Sequence, residues 1–285
     1  KSVVLGFSGG IDSCTAAQHL RDEGYRVVAL TINTTNDQLL LEKAESKAKE
    51  LGIEWMSYDA VELFRHEIID YFTSSYAKGY TPAPCTRCNT LIKWRILGEV
   101  ADSLNIHNIA TGHYLNIVNH GGHLYIAKAA DSSKDQSYYL WGIGEDILSR
   151  MLTPMSNTIK SDIRQNFADK RESMGICFLN GCHYTEFLAS NGIELTPGDI
   201  VDVNNNKVGE HNGIARYTIG QRRGVGIPEG MRIISIDSSN NRLIVGPNSA
   251  LYKHILYIDN CRITNPDQLS SANDITIMIR GIGRN

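Results

Sequence analysis

Six residues near the start, Ser8-Gly9-Gly10-Ile11-Asp12-Ser13, place two glycines, two hydroxyls and a carboxylate directly after an apolar run. Glycines let the backbone fold tightly. The N–H groups of such a turn, joined to a helix N-terminus, present partial positive charge to a phosphate or pyrophosphate. Ser8 and Ser13 add hydroxyl donors. The Gly-Lys-Ser/Thr ending of a Walker loop is absent, and so is the third glycine of a dinucleotide fingerprint. Asp12 is unfavourable beside an anion unless a cation such as Mg²⁺ intervenes or the carboxylate orients a donor. Farther along, Cys85 and Cys88 stand in KGYTPAPCTRCN and Cys177 in MGICFLN. A thiolate is stabilised at a helix N-terminus and beside cations. Cys88, with Asn89 expected to open a helix and Arg87 and Lys93 nearby, is therefore a candidate nucleophile. A closed zinc site needs four ligands; one CxxC supplies two, and Cys182-His183 is the available addition. Cys14 and Cys261, expected in a helix and a strand, read as small buried hydrophobes.

The elements that must position these groups follow from periodicity. From Val3 to about Thr111, short β-rich runs alternate with longer amphipathic segments, the signature of a parallel α/β sheet. VVLGF, RVVALTI, IEWMSYD and NIAT are expected strands. Residues 12–23, 38–52, VELFRHEIIDYF and NTLIKWRILGEVADSLN are expected helices, with the CxxC segment a loop between the last two. Ligands of such sheets bind at the carboxyl ends of the strands. Beyond Gly181, after one short helix over HYTEFLASNG, turn signals separate IVDV, ARYTI, MRIISID, RLIVG, LYIDNCRI and ITIMIR. These predict a small β domain followed by the opening strands of a barrel. A barrel cannot close by Asn285, so further C-terminal sequence is expected. The expected divisions are residues 1–181, 182–246 and 247–285.

The chain has 285 residues, 42% hydrophobic and 21% charged, enough for one sizeable core and smaller ones. A formal net charge of −3 excludes a surface that is basic all over, so a nucleic acid would have to meet a local basic face. Arg222 and Arg223 between glycines are one candidate; Lys160, Arg164, Lys170 and Arg171 are another. No stretch approaches the roughly 18 apolar residues of a membrane span, and KSVVLGFSGG lacks the layout of a signal peptide. A cytosolic location is expected, with no membrane partner.

S-G-G-x-D-S after a first strand resembles the PP-loop of the N-type ATP pyrophosphatases, which adenylate a substrate and release pyrophosphate. TPAPCTRCN with IKW, then ATGHY, KDQSYYLW, GICF and YTIGQRRGVGI follow in that order. From residue 3 to about 246 the chain is similar to the tRNA-specific 2-thiouridylases. The resemblance implies an α/β fold: an N-terminal parallel, doubly wound PP-loop sheet, a small central mostly-β tRNA-binding domain, and an incomplete C-terminal β-barrel. It implies replacement of the C2 oxygen of the wobble uridine by sulfur in tRNAs for Lys, Glu and Gln.

By that resemblance, Gly6, Phe7, Ser8, Gly9, Gly10, Ile11, Asp12, Ser13, Ile32 and Gly112 match positions that contact ATP, taken with Mg²⁺. His113, Lys134, Asp135 and Gln136 match positions that face tRNA, and Ala83, Pro84 and Cys85 the segment around the target base. The cysteine matching Cys177 carries a persulfide. The one matching Cys88 attacks it, leaving a Cys88–Cys177 disulfide that a reductant reopens. The sulfur donor is a persulfide relay protein or free sulfide. Many relatives carry Asp where Cys85 stands, so Cys85, Cys88 and Cys177 could instead hold a four-iron four-sulfur cluster with one open iron for sulfide. The chain ends in IRGIGRN where relatives often have an Arg-Tyr-Arg run, so the resemblance does not carry tRNA contacts over to Arg280 and Arg284. An argininosuccinate-type ligase would need neither CxxC nor GICF, and an RNA-binding module without turnover would not need Ser8, Asp12, Ser13 and both cysteines.

Overall fold

The computed structural model describes residues 1–164 and 175–278. It divides into two compact units, the first from the described parts of 1–67, 85–172 and 262–285, the second from those of 68–84 and 173–261.

The first unit is built on parallel strands β1 (Ser2–Gly6), β2 (Arg26–Asn33), β3 (Glu54–Asp59), β4 (Asn108–Thr111) and a two-residue strand, Met151–Leu152. Their spatial order is β3-β2-β1-β4 with Met151–Leu152 outermost, so β1 lies between the strands that follow and precede the crossovers. Helix α1 (Ile11–Asp22) buries Cys14, Ala16, Ala17 and Leu20, and α2 (Gln38–Glu50) buries Ala44 and Ala48, against Val3, Leu5, Val27 and Ala29. Alanines on the inner helix faces let the backbones approach the sheet closely. The opposite face is covered by the helix Trp94–Ser103, which buries Trp94, Ile96, Leu97, Val100 and Ala101. A doubly wound sheet results, as the alternating pattern predicts. Asn116–His120 and His123–Ala127 add a separate antiparallel hairpin.

One boundary differs from the sequence expectation and moves the cysteines. The helix opens at Pro84, not Asn89: Pro84–Cys88 is helical, Asn89–Lys93 is a π-helical turn, and Trp94–Ser103 continues it. Pro suits a first helical position because its missing N–H would have no partner there. CxxC therefore lies on a helix rather than in a loop.

The second unit contains a four-stranded sheet made of Gly198–Val201, Lys207–His211, Met231–Asp237 and Arg242–Pro247. Ile200, Tyr217, Val225, Ile233, Leu243 and Val245 form its core. ARYTI does not become a ladder strand. Gly213 has φ +103°, Ile214–Arg216 makes a 3₁₀ turn, and only Gly220 and Gln221 bond the backbone of Ile233. LYIDNCRI and the described part of ITIMIR form no strands either. Among the described residues no neighbouring strand supplies them a ladder, and Leu256, Tyr257, Ile258, Ile263, Ile275 and Ile277 are exposed. Cys261 is exposed there, contrary to the expectation of a buried strand residue.

Candidate active site

The turn after β1 is knit by its own hydroxyls. Ser8 N donates to Ser13 Oγ at 3.3 Å, Gly10 N donates to Ser8 Oγ at 3.3 Å, and Ser13 Oγ donates to Gly10 O at 3.0 Å. Gly9 sits at φ +65°, where a Cβ would lie 3.0 Å from Ala44 Cα, so both conformation and space require glycine. No side chain caps α1 at Gly10. The first N–H groups of the helix therefore remain available, with the positive end of its dipole, to an anion held in the turn. Gly112, at the end of β4, comes so near that a Cβ would lie 2.9 Å from Asp12 C and Ser13 N. Thr31 Oγ1 donates to Phe7 O at 2.7 Å and accepts from Trp55 Nε1 at 2.9 Å, fixing the end of β2 beside Ile32. The carboxyl ends of β1, β2 and β4 thus meet at one cradle.

Asp12 in the first turn of α1 is answered by groups remote in sequence. Its Oδ1 accepts from Lys160 Nζ at 2.5 Å and from Tyr114 Oη at 2.8 Å. Lys160 is almost wholly buried, its side chain 7% exposed against 41% for Asp12. Tyr114 is held in turn by Gln136, whose Oε1 accepts from Tyr114 N at 3.0 Å and whose N donates to Tyr114 O at 2.8 Å. Asp131 accepts from Lys160 N at 2.9 Å. Asp12 Oδ2 has no hydrogen-bond partner among the described residues. That oxygen fits Mg²⁺, a hard cation usually held by one or two carboxylates and by substrate phosphates; Asp12 would hold it at the mouth of the cradle.

Residues 1–181 match the tRNA methyl transferase HUP domain, and residues 185–247 match the tRNA methyl transferase PRC-barrel domain. The tRNA-specific 2-thiouridylase MnmA 2 of Phocaeicola vulgatus is 39% identical over 293 residues, 98% of this chain and 83% of that protein. The chain belongs to the tRNA-specific 2-thiouridylase family. The tRNA-specific 2-thiouridylase MnmA of Chlorobium phaeobacteroides is 40% identical over 268 residues, 87% of this chain and 75% of the relative. MnmA 1 of Bacteroides fragilis is 36% identical over 304 residues, 98% of this chain and 84% of the relative.

The thiols that the family resemblance singles out have contrasting surroundings. Cys85 is half-buried in the first helical turn after Pro84, whereas Cys88 is buried a turn later. The helix-end stabilisation expected for Cys88 therefore falls first on Cys85, since the effect fades within a turn. The Arg87 guanidinium grips Glu67 through the backbone oxygen at 2.7 Å and the carboxylate at 2.6 Å, and holds that carboxyl below its ordinary range. Cys177 belongs to the second unit, exposed on the 3₁₀ turn Cys177–Leu179. The next side chain, Phe178, anchors the turn edge-on against Phe72 at 5.2 Å and tilted on Phe187 at 5.1 Å. Among the described residues no group of three or more His, Cys, Asp or Glu is placed to hold a metal ion.

The residues expected to face tRNA fall into two kinds. Asp135 and Gln136 are spent inside their own segment: Asp135 accepts from Ala129 N at 2.9 Å and Ser137 Oγ at 2.7 Å, and Gln136 holds Tyr114. His113 is desolvated near Trp94, which with the Lys93 cation takes its pKa from 6.5 down to about 3. Arg222 and Arg223 are exposed on a turn pinned by buried Val225, and neither makes an ion pair with a described residue. In the second basic group Lys160 is buried against Asp12; the Arg164 side chain, Lys170 and Arg171, like Arg280 and Arg284, lie outside what is described. Lys160 and Tyr114 escaped the sequence reading as partners of the cradle. Only Tyr114 carried a signal, its place in ATGHY.

Proposed function

We propose that this chain catalyses ATP-dependent 2-thiolation of the wobble uridine in tRNAs for Lys, Glu and Gln. The observation that carries the reading is the uncapped Ser8–Ser13 cradle closed by Gly112, in a chain of the 2-thiouridylase family. A urea-like carbonyl oxygen is a poor leaving group. In the proposed first step the uridine C2 oxygen attacks the α-phosphorus of ATP, an O–P bond forms, and pyrophosphate departs. The cradle N–H groups and Ser13 bind phosphate oxygens; Asp12 would hold Mg²⁺, which when bound would supply charge neutralisation for the departing pyrophosphate.

Sulfur follows as the nucleophile. A persulfide relay protein first hands its outer sulfur to the Cys177 thiolate, which becomes a persulfide as the relay's own thiolate departs; free sulfide, already reduced, serves only the cluster route. The Cys88 thiolate attacks the inner sulfur of that persulfide, forming a Cys88–Cys177 disulfide and releasing hydrosulfide. Hydrosulfide adds at the activated C2, and AMP leaves with the former carbonyl oxygen. A dithiol reductant supplies the two electrons and two protons that return both cysteines to thiols. Ala83, Pro84, Cys85 and His113 border the extruded base. Lys134 with Asp135 and Gln136, and Arg222 with Arg223, serve the phosphate backbone and the loop fold that presents it. A wobble base splayed from its anticodon stack is the form in which single-stranded RNA is usually read. No described helix is long and apolar enough to cross a membrane.

The test is anaerobic incubation of the full chain with unmodified tRNA, Mg-ATP and a persulfide donor, with free sulfide in a parallel reaction, and with 2-thiouridine measured by mass spectrometry of the digest. Thiouridine at the wobble position supports the reading; ATP turnover on another acceptor without thiouridine overturns it. Iron content of the same preparation, with Cys85→Ala, tests the cluster route, which needs all three thiols.

A further inference from the structure

A carboxylate in the first turn of an anion-binding helix is an electrostatic contradiction. Asp12 stands in the first turn of α1, whose N–H groups no side chain caps. At close range and reduced dielectric, like charges repel by far more than they would in water. The structure resolves this with a buried cation. Lys160 Nζ reaches Asp12 Oδ1 from the protein side, only 7% of its side chain exposed, and Tyr114 Oη shares the same oxygen at 2.8 Å. The ammonium also lies 5.9 Å from the centre of the Tyr114 ring. Both partners are fixed: Tyr114 by two backbone bonds with Gln136, and the backbone of Lys160 by Asp131. One carboxylate oxygen is thereby tied down, while Oδ2 accepts no hydrogen bond from a described residue and the side chain is 41% exposed.

We propose that Lys160, assisted by Tyr114, is a positioning residue of the adenylation step: it neutralises and orients Asp12, so that a carboxylate can stand in a phosphate cradle and offer Oδ2 to the magnesium of ATP. Lys160 acts through Asp12 and contacts no phosphate. This inference rests on the assignment of the cradle as the ATP site.

The assignment makes an uncommon double-variant prediction, read by equilibrium binding and independent of turnover. Lys160→Met keeps the length and apolar bulk of the stem and removes the charge. It leaves Asp12 unneutralised beside the triphosphate, and Mg-free ATP should bind at least about tenfold more weakly, the range of couplings between contacting residues. Adding Asp12→Asn removes the offending charge, and Mg-free ATP binding should return to within about threefold of the parent chain. The Mg²⁺-dependent gain in affinity should stay lost in the double variant, because its ligand is gone. Lys160→Arg should retain Mg-free binding, and Tyr114→Phe should raise the KM for Mg-ATP with a smaller change in kcat.

Unfolding midpoints of every variant establish that the cradle is folded. If the double variant binds Mg-free ATP as poorly as Lys160→Met, Lys160 touches phosphate directly and the proposal is overturned. If Lys160→Met binds like the parent, the charge is idle and the proposal is equally overturned. Failure of the parent chain itself to bind ATP would instead overturn the ATP-site assignment, which separates the two.

Discussion

At the scale of single residues, surroundings decide charge, and His113 shows the sign. Its Nδ1 lies 2.7 Å from Thr111 Oγ1 and its ring 6.3 Å from that of Trp94. Loss of water, then the nearby Lys93 cation, bring the pKa from 6.5 to about 3. The ring is therefore neutral across the physiological range and carries no positive charge there. In the unfolded chain the same ring takes up a proton near pH ~6.5. The folded ring refuses that proton until about pH 3. Between those values the unfolded state binds more protons, and stability falls as pH falls through the window. His113→Gln should flatten the slope of stability against pH below about 6.5, measured by urea unfolding at several pH values. A His113 resonance titrating with an ordinary midpoint would contradict this. For the thiols, Cys88→Ala and Cys177→Ala should each abolish thiouridine formation while ATP still binds; substantial residual product from either would refute its role.

At the scale of elements, close approaches matter more than individual contacts. Gly112→Ala would set a Cβ 2.9 Å from backbone atoms of Asp12 and Ser13, which no rotamer change can relieve. Overpacking of that kind costs about 1–3 kcal/mol, and here it pushes the end of β4 away from the first turn of α1. ATP affinity and the unfolding midpoint should therefore drop together, whereas Gly121→Ala, on an open turn with nothing within 4 Å of its Cβ, should leave ATP affinity unchanged. The helix that begins at Pro84 carries a second expectation. Cys85, half-buried in the first turn, should be alkylated by iodoacetamide faster than buried Cys88, as followed by peptide mass spectrometry; the reverse order would place the reactive thiolate a turn later.

The strands and helices around β1 were readable because their apolar spacing is local. The helix start was misread because KGYTPAPC looks like a loop, although Pro84 itself marks a favoured first position. The partners of Asp12 were not readable, because Tyr114 and Lys160 stand 102 and 148 residues away and only the closed sheet brings them together. The strands expected over LYIDNCRI failed for the opposite reason: their pattern is local, but a strand exists only with a neighbour to pair with.

At the scale of the whole molecule, a chain of net charge −3 must meet a polyanion through a small part of its surface. Arg222 and Arg223 are suited to that. They project from a turn whose Gly224 and Gly226 have φ +72° and +70°, and which Val225, 4% exposed, anchors in the second unit's core. Arg232, close in sequence, is instead consumed by the fold, donating to Gly220 O at 3.1 Å. The distinction predicts separate phenotypes. Replacing both Arg222 and Arg223 with Ala should weaken binding of every tRNA alike, and should reduce the slope of log K against log salt by about one unit for each phosphate contact removed. ATP binding and the unfolding midpoint should stay at the parent's values, because neither side chain supports the sheet. Arg232→Ala should do the reverse, lowering the midpoint by loosening the turn while leaving the salt slope nearly unchanged. Filter binding across a salt series with unmodified tRNA reads both, and an unaltered slope in the double alanine variant would remove this turn from the tRNA interface.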